Sequence, residues 1–270
     1  MREIKMQLFR IQTNLIKPGQ DILPEITTSL AQSKIYLENG DILAITSKVI
    51  SLSQNRIVKL DTIKPSPTAR RLAKKYNLDA EYVEVILREA DEVYGGTDQA
   101  LCTIKDGVMI ANAGVDRKNI PLGYAVLYPE KPHKVADSIR RKIHSLTGKF
   151  IGVLIVDSRV TPLRLGTVGV ALGFAGFNPI RDCRGLKDLY GRRVVITRHC
   201  QVDDLAGAAH LLMGELIERT TAVLIRDSLV EISDDLSYPI QAESVKVSPD
   251  SCIFIGARQY GKKSNVVRKR

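Results

Sequence analysis

Three acidic residues stand where a chain of this kind could do chemistry. Asp116 and Asp157 each follow a short apolar run, Gly107–Ala111 through Asn112-Ala-Gly-Val, and Phe150–Val156. Glu215 lies near the end of a helical pattern that precedes a further apolar run. Residues just past strand ends reach a cleft while the strands fix their positions. Carboxylates that converge there repel one another unless a cation intervenes, and a hard divalent ion with oxygen ligands is the usual solution. The competing reading is that each acid simply forms a turn or caps a helix.

A second candidate is the stretch Arg164–Gly176, with glycines at 166, 169, 173 and 176. Such spacing lets backbone approach a phosphate, or lets two elements pack closely, and both readings stand. Neither G-x-x-x-x-G-K-[ST] nor G-x-G-x-x-G after a strand occurs, so the familiar nucleotide loops are absent. Arg159, Arg164, Arg181, Arg184, Arg192 and Arg193 flank the glycines. A guanidinium can grip phosphate or carboxylate through two parallel bonds. His133, His144, His199 and His210 show no metal-ligand spacing and read as structural or surface residues. Ser47, Ser51 and Ser158 carry no nucleophile signature.

These groups must be positioned by buried strands and amphipathic helices. Val- and Ile-rich runs at Asp41–Thr46, Gly107–Ala111, Phe150–Val156, Arg193–Thr197 and Ala222–Ile225 fit strands covered on both faces. The alternating start of the chain reads as a first strand. Helical periodicity covers Pro67–Leu78, Ala80–Val93 with Asp79 as its cap, Val135–Leu146 stopped by Thr147-Gly148, and Asp203–Glu218. The mixture is α/β or α+β, one domain over residues 1–256 with interleaved subdomains as an option, followed by a basic tail from 257 to 270.

Composition bounds the rest. The chain has 270 residues, 44% apolar and 26% charged, which is globular. No apolar run reaches the ~18 residues of a membrane span, and a cytoplasmic protein is expected. The scattered Cys102, Cys183, Cys200 and Cys252 contain no C-x-x-C pair and read as buried small residues. Net charge is +10, with five of the positive charges in the last nine residues. That surface suits polyanionic ligands, whereas the absence of Trp argues against base stacking and nucleic acid.

Several segments in order resemble the F420-0:glutamate ligase family. They are Leu15–Gly19, Asn39–Leu43 with Ser47–Ser51, Ala111–Asp116, Val156–Ser158, Arg164 with Gly166, Asp182–Arg192, and Val202–Ala206 through Leu211–Glu215. The resemblance spans about Leu15 to Asp227. It implies a mixed α/β fold, an intertwined homodimer, and two divalent ions, Mg²⁺ or Mn²⁺, beside GTP, with a monovalent cation such as K⁺ as a further option. It maps metal ligation onto Asp116, Asp157, Ser158 and Glu215. Nucleotide contacts map onto Thr13, Asn14, Leu15, Ile16, Ser47, Lys48 and Asn119. Arg164 maps as a grip for a substrate carboxylate. The implied reaction joins L-glutamate to coenzyme F420-0 through an acyl phosphate.

Three departures accompany the match. Leu52 stands where a lysine is expected, with Lys48 as a substitute charge. Arg159–Arg164 replaces a G-R-P-W-R-like stretch, and Leu216–Thr221 replaces a glycine-rich segment. They leave open a folate γ-glutamyl ligase with the same chemistry, and, from another class, a non-catalytic nucleotide-binding protein.

Overall fold

The computed structural model describes residues 5–256; the basic tail lies outside them. Its centre is a five-stranded sheet. The strands are β1 (Gln7–Gln12), β2 (Ile42–Thr46), β8 (Gly152–Val160), β9 (Thr167–Ala175) and β12 (Thr220–Arg226), in the order β1-β12-β2-β8-β9. β2 and β8 run parallel, with Ile42 opposite Gly152 and Thr46 opposite Val156. The other neighbours are antiparallel.

Both faces of this sheet are covered, which is why its strands read as unbroken apolar runs rather than alternating ones. On one face, Leu43, Ile45, Val153, Ile155 and Leu224 pack against α1 (Leu23–Gln32), α2 (Ser47–Ser53) and α5 (Pro132–Thr147). On the other, Ile42, Ala44, Leu154, Val223 and Ile225 pack against α6 (Gln201–Met213). Adjacent residues of each strand thus enter different cores.

β9 follows this alternation with one slip. Opposite it, Ile155 pairs with Gly173 but Val156 with Ala171, so a bulge lies around Leu172. Gly169 faces α6, where a Cβ would collide with the backbone of Ala206 and come within 2.8 Å of His210 Cβ. Gly173, beyond the bulge, faces the start of α5, where a Cβ would stand 2.7 Å from the His133 amide nitrogen. Gly169 and Gly173 therefore serve close packing of two helices on one edge strand, whereas Gly166 has open space around its Cβ position.

A second lobe holds α3 (Pro67–Tyr76), α4 (Ala80–Glu89) and the meander β4 (Glu92–Thr97), β5 (Ala100–Lys105), β6 (Val108–Ala111). Its core includes Ala73, Val83, Ile86, Leu101, Val115 and Ala125. The short pair β3 (Ile57–Lys59) and β7 (Tyr124–Val126) joins the lobes. A final ribbon, β10 (Ile180–Asp182) with β11 (Arg198–Cys200), carries the connecting arm 183–197.

Several sequence expectations change here. Arg193–Thr197 is not a buried strand: it lies in the arm, with Val195 and Ile196 about four-fifths exposed. The helix expected to reach Val93 stops at Glu89, and β4 takes over. Asp79 occupies the N-cap of α4 but makes no capping bond; its carboxylate pairs with Arg117. The four cysteines carry no disulfide and are half-buried rather than buried. Thr147-Gly148 does end α5, with Gly148 at φ 68° and its N–H on the His144 carbonyl.

Two ion-bearing contacts tie the frame. Arg226, at the end of β12, grips both oxygens of buried Asp41 at 2.9 and 2.8 Å, just before β2. Arg140, buried in α5, donates to the carbonyls of Ser233 and Asp235 at 2.7 and 3.0 Å.

Replacing Gly169 with Ala should destabilise the protein by about 1–3 kcal/mol, because the α6 backbone cannot yield as a flexible side chain would. Urea unfolding of the variant beside the parent protein measures this; a stability within error of the parent would show that α6 can shift.

Candidate active site

The parallel pairing of β2 with β8 sets the end of β2 beside the middle of β8. Ser47 opens α2 directly after β2, and Asp157 follows Val156 on β8, and their side chains hydrogen-bond. The antiparallel partner β12 starts at Thr220, so the loop carrying Glu215 arrives at the same edge. The turn after β1 joins there too: Thr13 Oγ1 and Thr221 Oγ1 lie 2.6 Å apart.

The second lobe contributes the remaining wall. Asp116 N–H donates to Val126 O at 3.0 Å and Val126 N–H returns the bond at 2.9 Å, fixing the segment to β7. Arg117 stacks over the Tyr82 ring at 4.2 Å, and the Tyr82 hydroxyl donates to Val115 O at 2.6 Å. Asp116 is therefore held by the α4 lobe and presented to the sheet edge.

Between these walls lies a cleft of about 740 Å³. Its lining includes Thr13, Asn14, Leu15, Ile16, Ser47, Lys48, Asp116, Asn119, Asp157, Ser158 and Glu215. Of the site residues expected from sequence, Arg164 alone is elsewhere. It is exposed in the turn between β8 and β9, its N–H 3.3 Å from Thr161 O.

The electrostatics of the three acids differ. Burial pushes the Asp157 carboxyl up to about 6, and nearby Asp116 adds to that, although the Ser158 N–H donates to it at 2.7 Å. Asp116 accepts an ion pair from Lys48 Nζ at 2.7 Å and the Lys118 N–H at 2.8 Å. The second bond is the turn-forming role that was the alternative reading; here it coexists with a place in the cleft. Glu215 is partly buried, which would raise its pKa, yet bonds from Lys118, Thr167 and His210 overcome this and hold it down at about 2. Lys118 Nζ lies 2.8 Å from one carboxylate oxygen. Thr167 Oγ1 and His210 Nε2 lie 2.6 and 3.0 Å from the other.

Lys118 and Thr167 were not singled out from sequence, and His210 was read there as a structural or surface residue. The helix expected to run to Glu218 ends at Met213, and Gly214 takes φ 71°. That break turns Glu215 back towards His210, a contact that regular helical spacing does not anticipate. Lys118 had a weak signal, two residues beyond Asp116. Lys48 Nζ also reaches the Lys118 carbonyl at 2.9 Å, and Asn119 Nδ2 donates to Leu216 O at 2.6 Å.

The donors suit a hard divalent ion, since carboxylate and hydroxyl oxygens face one cleft and the half-buried Asp157, with its raised proton affinity, favours a positive charge beside it. As placed, no three His, Cys, Asp or Glu side chains among the described residues converge closely enough to hold one. Two acids face lysine ammonium groups instead.

The family model for F420-0:gamma-glutamyl ligase matches residues 10–227, which spans every element of the cleft. The chain belongs to that family. Similar proteins of the F420-0:gamma-glutamyl ligase family include the coenzyme F420:L-glutamate ligase of Methanopyrus kandleri, 40% identical over 88% of this chain and 93% of its own. Those of Archaeoglobus fulgidus and Methanothermobacter thermautotrophicus are 37% and 39% identical, over 83% and 78% of this chain and 88% and 84% of theirs. Membership makes this chain a ligase-family enzyme. No helix among the described residues is long and apolar enough to cross a membrane.

The raised Asp157 pKa has a pH consequence. The folded state holds this proton more tightly than the unfolded chain, so its charged form opposes folding. That cost is absent below the unfolded value near 4 and complete above about 6. With a chelator present, Asp157→Asn should therefore be more stable than the parent at pH 8, by roughly 1–2 kcal/mol. The gain should shrink towards pH 4.5. Denaturation at both pH values checks this; a pH-independent difference would contradict it.

Proposed function

We propose that this protein forms an amide between L-glutamate and the carboxylate of coenzyme F420-0, using GTP and divalent cations, and then extends the product through γ-glutamyl linkage. The observation that carries the reading is the meeting of Asp116, Asp157, Glu215 and Lys48 with the Thr13–Ile16 turn in one cleft, in a chain of this family. The coenzyme F420:L-glutamate ligase names of its relatives support the acceptor and the amino acid.

A carboxylate is a poor acylating agent because oxide is a poor leaving group. Attack of the acceptor carboxylate on the γ-phosphorus of GTP breaks the bond to the β-phosphate, releasing GDP and giving an acyl phosphate; the glutamate amine then forms the amide bond, with phosphate leaving and the amine proton lost. Phosphoryl transfer needs positioning and charge neutralisation more than covalent help from the protein. Divalent cations held by Asp116, Asp157, Ser158 and Glu215 would supply that neutralisation for the phosphates. Lys48, at the start of α2, adds a point charge where the family pattern has a later lysine. Leu52, the residue at that later position, lines the same cleft and makes its wall less polar.

The exposed residues of the β8–β9 turn and the arm favour a homodimer. Leu163, Leu165, Leu189, Val195 and Ile196 are each three-quarters exposed or more. Apolar surface of this extent on projecting segments fits a subunit interface. Arg164, set between Leu163 and Leu165, would then serve a substrate carboxylate from across that interface. Sedimentation equilibrium should give twice the chain mass; a monomer at micromolar concentration would remove this role for Arg164.

Asp116→Ala and Asp157→Ala should each lower turnover at least ~10²-fold while the protein stays folded. Mass spectrometry of incubations with glutamate, GTP and Mn²⁺ or Mg²⁺ should show a glutamate-sized gain on F420-0. A reduced folate in a parallel incubation tests the other acceptor, since the Arg159–Arg164 stretch departs from the family pattern. A gain on folate alone would overturn the F420-0 assignment, and near-normal activity of either variant would overturn the metal assignment.

A further inference from the structure

Glu215 is held differently at its two oxygens. Oε1 meets the Thr167 hydroxyl at 2.6 Å and the His210 ring at 3.0 Å, from β9 and α6. Both are parts of the packed frame, since Thr167 begins β9 and Gly169 lets α6 sit directly against that strand. Oε2 meets only the Lys118 ammonium, at 2.8 Å, among the described contacts. The Lys118 side chain is 56% exposed and sits on a turn, so it can leave for solvent at small cost. Glu215 would keep its position when that happens, because the Oε1 bonds remain.

We propose that Lys118 is a resident counter-cation of Glu215, which yields its place when a divalent ion binds and then pairs with the nucleotide's phosphates. The inference rests on the metal-and-nucleotide reading given above. An ammonium and a dication cannot share Oε2 without strong repulsion, so metal binding must displace the lysine. The displaced Nζ remains tethered in the cleft: the Lys118 carbonyl is held by Lys48 and its neighbour Asn119 is bonded to Leu216 O. An anion of several charges in the same cleft is its natural new partner. Metal and nucleotide then bind cooperatively, each favouring the other by the same factor.

Mn²⁺ binding, followed by electron paramagnetic resonance of the free ion, tests this with and without a non-hydrolysable GTP analogue. Lys118→Met should bind Mn²⁺ at least about threefold more tightly than the parent in the absence of nucleotide. The analogue should tighten Mn²⁺ binding by the parent, and by clearly less in Lys118→Met. Lys118→Arg, which keeps the charge, should stay near the parent. Arg219→Met controls for charge removal in general, because Arg219 lines the cleft without an ion pair to an acid among the described residues.

Unchanged or weaker Mn²⁺ binding by Lys118→Met would overturn the proposal. So would equal nucleotide coupling in the two proteins, or an Arg219→Met gain as large as that of Lys118→Met. If the parent and every variant fail to bind Mn²⁺ even with the analogue, the metal reading itself falls. Thermal unfolding confirms that each variant is folded before it is compared.

Discussion

The parallel contact between β2 and β8 is the constraint on which the site depends. β2 stops at Thr46 while β8 runs on to Val160, so the parallel register that sets Thr46 opposite Val156 delivers Ser47 and Asp157 together without any help from loops. β12, antiparallel to β2, begins at that end of β2 and brings the loop of Glu215 with it. Because both faces of the sheet are sealed by helices, its edge is where polar groups can gather without burying them unpaired. The cleft is thus a product of strand direction before it is a product of particular side chains.

Charge placement follows from the same arrangement. Three acids from two lobes are drawn to one opening, and the chain answers their repulsion in different ways. Asp116 and Glu215 face ammonium groups, whereas Asp157, with burial around it, has its proton affinity raised. Such divergent environments for like groups are a reason to take these acids as candidates for function. The lobes also touch through these groups, so the ionic state of the cleft bears on how tightly they are apposed.

Much of this was legible in the sequence where a single physical signal dominated. Unbroken Val and Ile runs marked β2, β8 and β12 because double-sided burial removes the usual alternation. A place after an apolar run marked Asp116 and Asp157, although Asp157 lies inside β8 and not past its end, because the strand carries on through Val160 in its pairing with β9. The Arg193–Thr197 run carried the same apolar signal yet lies exposed in the arm, since composition does not say whether a surface meets the chain's own core. The Gly166–Gly176 series was ambiguous for a related reason: a missing Cβ is needed equally for a phosphate and for a helix, and only the positions of Ala206 and Pro132 separate the two. His210 and Thr167 gave no signal, because their meeting with Glu215 depends on where α6 breaks.

The grip of Arg140 on the 233–235 carbonyls has a bearing on where this protein's folding unit ends. The family match stops at residue 227, but a buried guanidinium in α5 takes its hydrogen bonds from beyond that point. A chain cut at the family boundary would take those acceptors from Arg140 and leave it with Asp137 of its own helix. Phe177, bridged to Ile232 across the same junction, would lose its partner as well. The stretch after residue 227 is thus a half-exposed cover that supplies acceptors to a buried residue, and the boundary drawn by shared sequence is not the boundary drawn by packing.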